Sequence, residues 1–178
     1  IKEQVEIPSH FRILSSEATF PFTKPKVCNL GLITTDAKYV TVYDAEDAPE
    51  PDQLLKVLYK FESDPNIACV QCRLHYNNKR HNWLTKFFNL EYLTWFSLTI
   101  VGLSKVQGKG AVIPLGGTSQ HLRVDELVEI GGWDAVNVTE DCDLGVRLAR
   151  LGKTTVISDS YTNEVAVDSI KHWIPQRT

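Results

Sequence analysis

Apolar and polar positions come in blocks along this chain, and the period changes from block to block. "KYVTVYD", Lys38–Asp44, is an almost unbroken apolar run ending in an acid, which predicts a strand covered on both faces. "IACVQCRLHY", Ile67–Tyr76, predicts a second strand, "TTVIS", Thr154–Ser158, a third, and "FRIL", Phe11–Leu14, a short fourth. Elsewhere the period lengthens. "KPKVCNLGLITT", from Lys24, follows a proline-rich turn and predicts a helix. "EPDQLLKVLYKFE" places Pro51 near a helix start, with Leu54, Leu55, Leu58 and Phe61 at helical spacing. "DELVEIGG" predicts a short helix stopped by Gly131 and Gly132. "TEDCDLGVRLARLGK" predicts a longer one: Thr139 as N-cap, acids in the first turn, Arg147 and Arg150 near the end, Gly152 as the stop. Repeated strand–helix alternation argues for an α/β domain, a sheet sandwiched by helices. No repeat, low-complexity stretch or linker interrupts it, so residues 1–178 read as a single domain.

One block departs from this pattern. "FFNLEYLTWFSLTIVGL", Phe87–Leu103, carries Glu91 as its only charge, and Trp83, Tyr92 and Trp95 cluster at one end. It falls short of the ~20 apolar residues of a membrane span. A buried amphipathic helix, a helix lying in a membrane interface and a true span all stay open.

Composition narrows the classes. With 178 residues, 43% of them hydrophobic, the chain can bury a sizeable core. A formal net charge of −3 gives no basic field, which argues against nucleic acid as a partner. Of the four cysteines, Cys69 and Cys72 form a C-x-x-C, but residues three apart on a strand point to opposite faces. Reduced, buried thiols in a reducing compartment are the expectation, rather than zinc or a disulfide. The chain begins with Ile and contains no Met, so it reads as a piece of a longer one, without a visible signal peptide.

The candidate chemistry lies at the ends of these elements. Asp44, Glu46 and Asp47 crowd the end of a strand. Carboxylates so close are kept cheaply only in water or around a cation, and two acids one residue apart can both reach one divalent ion. In an open sheet, ligands bind beyond the carboxyl ends of the strands. A solvated acidic turn leading into a helix is the plain alternative. Further on, Gly116 and Gly117 permit close backbone approach, and Thr118 to His121 offer hydroxyl, amide and imidazole groups. The Gly131-Gly132 turn would put the Trp133 indole face outward for stacking on a sugar. Thr139-Glu140-Asp141 places carboxylates at a helix start, where one could accept a proton from a hydroxyl. Helix capping is the plain alternative there.

Taken in order, these segments resemble the inverting family 2 glycosyltransferases of the cellulose synthase-like type. That group carries a D-x-D-like strand end, a G-G-T/S segment, a G-G-W-D turn, a T-E-D and a Q-x-x-R-W. Here they stand as Asp44-Ala45-Glu46, Gly116-Gly117-Thr118, Gly131-Gly132-Trp133-Asp134 and Thr139-Glu140-Asp141, with the last only begun at Gln176-Arg177-Thr178. The match runs from about residue 8 to the end. It implies a GT-A fold, with a mixed, mostly parallel sheet between helices, and a chain that is the C-terminal two-thirds of such a catalytic domain, its N-terminal strands missing. It also implies a nucleotide-diphosphate sugar donor such as a UDP-hexose, Mg²⁺ or Mn²⁺, a growing glycan or lipid-linked acceptor, and a β-linked product.

By position, Asp44 and Glu46 would face the metal and diphosphate. Asp141 would be the general base and Glu140 its support. Lys24 would lie near the nucleotide, with Lys26 a close competitor. Gly116, Gly117, Thr118, Trp133 and Asp134 would shape the acceptor site, and Gln176 would open the motif that holds the acceptor end. Such enzymes sit at the cytoplasmic face of a membrane, anchored by flanking segments. Two departures stand out: Glu46 occupies a place where Asp is commoner, and neither the early Asp-bearing strands nor the closing Arg-Trp is present. The isolated chain is therefore expected to be inactive. A metal-dependent nucleotidyltransferase on a similar sheet, and a non-catalytic carbohydrate- or membrane-binding module, remain the rival readings.

Overall fold

Strand β3, Ile67–Tyr76, forms where its apolar run predicts, and the rest of the sheet is laid against it. The computed structural model describes residues 8–177, apart from the side chains of Gln176 and Arg177. The sheet has five strands in the order β1-β4-β3-β5-β2, with β1 at Tyr39–Val42, β2 at Ala48–Pro49, β4 at Gln120–Arg123 and β5 at Thr154–Glu164. The sheet is mixed, as expected, but not mostly parallel in its described part. Only β3 and β5 run parallel; β1 with β4, β3 with β4 and β2 with β5 are antiparallel. β4 accounts for two of these pairs, because it lies between β1 and β3 and runs opposite to both.

Helices cover both faces. On one, α1 (Lys24–Ile33), α5 (Val124–Glu129) and α6 (Glu140–Arg150) close over Cys69 and Leu122 with Leu32, Leu127, Leu144 and Leu148. On the other, Val57 and Phe61 of α2 (Gln53–Ser63) pack on Val70 and Cys72. Cys69 and Cys72 thus join different clusters, as their strand spacing requires, and all four cysteines are free. Helix α6 approaches the sheet closely at Gly145, where a Cβ would stand 2.2 Å from the Ile113 carbonyl oxygen.

Three local expectations are corrected. Phe11–Leu14 is not a strand: residues 8–20 lie exposed with no ladder partner, and an extended run becomes a strand only when it finds an edge. Helix α2 turns a different face inward from the one its leucines suggest. Leu54, Leu55 and Leu58 are exposed, while Gln53, Val57 and Phe61, four residues apart, are buried. The Gln53 amide fixes that rotation, because it donates to Tyr161 O at 3.0 Å and Thr162 Oγ1 at 3.1 Å. Thr139 occupies the N-cap position of α6 without a side-chain capping bond; its hydroxyl donates instead to Asn137 Oδ1.

The aromatic block is a broken helix: α3 (Trp83–Tyr92), a π-helical turn (Leu93–Thr99) and α4 (Ile100–Lys105). Phe88, Tyr92, Phe96 and Ile100, spaced by four, pack toward the sheet and its flanks. In a regular α-helix each step of four overshoots a turn by about 40°, so the row would spiral off the core. The wider turn takes up that drift. Ile100 N–H donates to Trp95 O, and the Thr99 hydroxyl to Thr94 O at 3.0 Å, both five residues back. No helix among the described residues is long and apolar enough to cross a membrane. The outward side, with Trp83, Phe87, Leu90 and Leu98, stays exposed.

Gly145→Ala is expected to destabilise the fold by at least ~1–3 kcal/mol, because a buried helix backbone must move away from residues 113–115. Thermal unfolding followed by circular dichroism should show a fall in Tm of about 4 °C or more.

Candidate active site

Four chain segments meet at the carboxyl end of β1. Helix α1 begins with Lys24, whose ammonium donates to Asp44 Oδ1 at 2.5 Å and to the Gly117 carbonyl at 2.7 Å. Burial opposes the charge on Lys24, but the Asp44 carboxylate and the nearby Asp141 outweigh it and hold the ammonium above its ordinary range. Lys26 points elsewhere, to Thr19 O at 2.7 Å and Thr19 Oγ1 at 2.8 Å. Of the two candidate lysines, the fold brings only Lys24 to the acidic end.

The α1 start is pinned by the Gly-Gly-Trp-Asp turn. Asn29 brackets Trp133, donating to its carbonyl at 2.7 Å and accepting from its N–H at 3.0 Å, and Thr23 donates to Ala135 O at 2.7 Å. Gly132 has φ +71°, and a Cβ there would lie 2.5 Å from Asn29 Oδ1, so glycine is required. Trp133 does not offer a stacking face. Its side chain is 4% exposed and fills the core beside Leu32 and Leu127. The turn that seemed to expose it is folded under α1. Asp134 is exposed and closes its own turn, accepting from Val136 N–H at 3.0 Å.

The acidic loop divides its three carboxylates by role. Asp44 pairs with Lys24. Glu46 is exposed on the adjacent turn. Asp47, which the sequence placed in the acidic cluster without a role of its own, turns inward and holds the loop: its Oδ2 accepts from Asp44 N–H at 2.7 Å and from the Thr118 hydroxyl, while its Oδ1 is buried without a partner. Thr118 therefore supports the loop from beneath and is itself buried. Glu164, at the end of β5, faces the same cluster. Burial, then Asp47, Asp44 and Glu46, push its carboxyl up to about 7. Hard carboxylate oxygens and a negative field that Lys24 answers only in part fit a divalent cation. Among the described residues, however, no three His, Cys, Asp or Glu groups converge on one point. The donor set suits a cation shared with a bound diphosphate, the usual arrangement for Mg²⁺.

Asp141 lies in the first turn of α6, with Glu140 before it. The Gln120 amide N–H₂ donates to Asp141 Oδ1, and Oδ2 stands 3.3 Å from where a Gly117 Cβ would be. Burial raises the Asp141 carboxyl to about 6, with Glu140 and Asp44 adding to the rise and Gln120 and Lys24 opposing it. Beneath lies a buried polar lattice. The Tyr43 hydroxyl donates to Gln53 Oε1 at 2.6 Å and lies 3.1 Å from His121 Nε2. Burial holds His121 down at about 4, so it is neutral, and pushes Tyr43 up to about 12. Ser119 takes φ +55°, a strained value for a residue with a Cβ, tied by its N–H to Val42 O at 2.8 Å and by its hydroxyl to Thr162 Oγ1 at 2.5 Å. The Gln176 side chain lies outside the described residues.

The raised Asp141 carboxyl sets a sign for stability. Its folded-state value exceeds the ordinary 3.8, so its contribution is fully present below about pH 4 and is lost as pH rises through about 6. Asp141→Asn, which keeps the Oδ1 acceptor, should match the wild type in Tm near pH 4 and exceed it above pH ~6. Parallel thermal melts across that range check this; equal melting temperatures throughout would show that the carboxylate is not desolvated.

Comparison with known proteins bears on the family and the fold. The family model described as "Glycosyl transferase family group 2" matches residues 39–178. The probable glycosyltransferase YdaM of Bacillus subtilis is 28% identical over 156 residues, 87% of this chain and 36% of that protein. Glucomannan 4-beta-mannosyltransferase 2 of Arabidopsis thaliana is 33% identical over 116 residues, 65% of this chain and 21% of that protein. The chain thus spans about a third or less of the length of these curated relatives. A mannosyltransferase of Pyrobaculum calidifontis, PcManGT, solved with GDP-Man and Mn²⁺, superposes with a TM-score of 0.62 at 18% identity, over 88% of this chain and 40% of that one. That likeness carries the fold, which is of the GT-A kind. With the family model covering most of the chain, this protein belongs to glycosyl transferase family group 2.

Proposed function

We propose that this chain carries the reacting part of an inverting glycosyltransferase. It would move a hexose from a nucleotide-diphosphate donor to a hydroxyl of a glycan or lipid-linked acceptor and leave a β-linkage. The observation that carries the reading is the pairing of a half-buried Asp141, fixed at one oxygen by Gln120, with the Lys24–Asp44 pair across the Gly117 backbone. A proton acceptor and a cationic anion-binding group thus flank one short stretch of backbone. Neither a nucleotidyltransferase nor a binding module needs the first of these.

The step is a single in-line displacement. An acceptor hydroxyl attacks the anomeric carbon, its proton passes to Asp141, and the bond to the diphosphate oxygen breaks with its electron pair. Oδ1 already accepts from Gln120, so Oδ2, the oxygen nearer Gly117, takes the proton. Glu140 adds negative charge that strengthens the base. Lys24 meets the diphosphate from the α1 side. A divalent cation, Mg²⁺ or Mn²⁺, would neutralise the departing diphosphate, and Asp44, with Glu46 on the adjacent turn, would hold it.

The sequence pointed to UDP-hexose. The mannosyltransferases among the relatives, and the GDP-Man bound to the solved neighbour, make GDP-mannose the second donor to try. The exposed apolar side of α3 and the π turn supports placing the whole protein at a membrane surface, and the family resemblance makes the cytoplasmic face the one expected.

In the complete protein, Asp141→Asn is expected to lower kcat by at least ~10²-fold with donor binding nearly unchanged. The wild-type rate should fall tenfold per pH unit below about 6, where the base is protonated. A loss confined to KM would remove Asp141 from this role. Separately, calorimetric titration with UDP and with GDP in the presence of Mn²⁺ should show binding that EDTA abolishes and Asp44→Ala loses. Metal-independent binding, unchanged in the variant, would place the diphosphate elsewhere.

A further inference from the structure

Helix α2 and the aromatic helix each expose a row of large apolar side chains: Leu54, Leu55, Leu58 and Tyr59 on the first, Trp83, Phe87, Leu90 and Leu98 on the second. Charge tells the two rows apart. Residues 50–62 hold Glu50, Asp52 and Glu62 against Lys56 and Lys60, and Lys56 pairs with Glu50 at 3.2 Å and Asp52 at 3.1 Å. Residues 79–109 instead hold five basic residues and one acid, a net +4 inside a chain of net −3, which leaves −7 to the remainder. We propose that the aromatic helix lies flat in the headgroup layer of an anionic bilayer leaflet, its apolar row toward the acyl chains and its basic ends against the headgroups. This rests on the reading that the whole protein sits at a membrane surface, and names the face and the lipid chemistry that hold it there.

Three observations carry it. The rod cannot roll to hide its outer row, because Phe88, Tyr92, Phe96 and Ile100 hold the inner side on the sheet and its flanks. Trp83, Phe87 and Leu90 stand at helical spacing along α3, and Leu98 continues the row through the π turn. A contiguous apolar patch of this kind marks a partner. Next, basic residues bracket the row. Lys79 and Arg80 precede α3, Lys86 follows within it, and Lys105 and Lys109 close the far end. Arg80, Lys86, Lys105 and Lys109 are exposed, and none joins an ion pair among the described residues. Glu91, the single acid of this stretch, already has a partner in the protein. Hydrocarbon answers the apolar row and anionic headgroups answer the four cations, which is how an interfacial helix binds. The negative potential of a cytoplasmic leaflet attracts such basic flanks, so the same charges favour that side. Lastly, α7 (Ile170–Arg177) extends the face. Its Ile170 and Trp173 stand with Trp83 and Phe87 around a cavity of about 430 Å³ in which Glu91 is the only charged lining residue, and Lys171 is exposed beside them. Indole rings favour the headgroup level, so tryptophans from two separate helices set one depth.

The test is made on the complete protein, with vesicles of phosphatidylcholine, pure or mixed with phosphatidylglycerol. Flotation with the vesicles first establishes membrane placement. The photo-crosslinker p-benzoylphenylalanine is then put in place of Phe87, of Leu98 and, as the control on α2, of Leu55, all of them exposed. The photoproducts are read by mass spectrometry, and an unchanged Tm shows that each variant is folded. Phospholipid adducts are expected at positions 87 and 98 and not at 55, and phosphatidylglycerol adducts should predominate in the mixed vesicles. Lys86→Glu, Lys105→Glu and Lys109→Glu combined should lower the phosphatidylglycerol yield at 87 and 98 by about fivefold or more, since a single basic residue near an anionic surface is worth about that factor. Crosslinks from 87 and 98 to peptides of the protein itself would mean that the rest of the chain or a second copy covers the face, and would overturn the inference. So would equal lipid yields at 87, 98 and 55, or a phosphatidylglycerol yield unchanged by the three glutamates. If the protein floats with neither vesicle, the membrane placement itself falls. If it floats but 87 and 98 gain no lipid, the placement stands and this face is excluded.

Discussion

The register of one four-residue strand governs the site. β4, Gln120–Arg123, pairs Gln120 with Val42 on one side and with Gln71 on the other. That register sends the Gln120 amide to Asp141, the His121 ring to Tyr43 and the Arg123 guanidinium to the Phe61 and Ile67 carbonyls. Side-chain direction alternates along a strand, so a slip of one residue would exchange every one of these contacts for its opposite. The slip is resisted because three of the four side chains are polar and buried, and the Gln120 N–H₂, the His121 ring and the Arg123 guanidinium find their partners in this register. A greasier strand would have alternatives; this one leaves unpaired groups in the core if it shifts.

Charge is distributed with similar economy. Asp44, Glu46, Asp47 and Glu164 crowd one end of the sheet, and Asp141 stands across the glycine loop from them. Lys24 is the ammonium held against Asp44. It reaches the site from a helix start fixed by Asn29 and Thr23, so the counter-charge is positioned by the Gly-Gly-Trp-Asp turn rather than by the loop it neutralises. The motif thereby acts at a distance: its tryptophan is buried, and what it delivers to the site is the first residue of α1.

Periodicity made much of this legible. The limits of β3, the starts of α1 and α6 and the stops at Gly131 and Gly152 follow from apolar spacing and from backbone angles that only glycine adopts easily. What stayed hidden depended on long-range pairing. "QHLR" does not look like a strand, because its burial comes from partners 49 to 84 residues earlier. The separate role of Asp47 and the presence of Glu164 beside it emerged only when Thr118 and the full length of β5 placed them. Helix α2 was misread because leucine spacing outweighed a glutamine whose amide is satisfied only by β5. Trp133 was misread because a double glycine suggests an outward turn, whereas the fold tucks this one beneath α1.

The π turn carries a consequence of another kind. A π turn holds one more residue than the helical path needs, so it amounts to a single-residue insertion absorbed without breaking the rod. Removing one residue between Leu93 and Thr99 would restore a regular helix and rotate everything on one side of it by about 100° relative to the other. Phe96 and Trp95 could not then both keep their stations. In a chain one residue shorter through this segment, either Phe96 would leave the core or Trp95 would turn away from its partly exposed station.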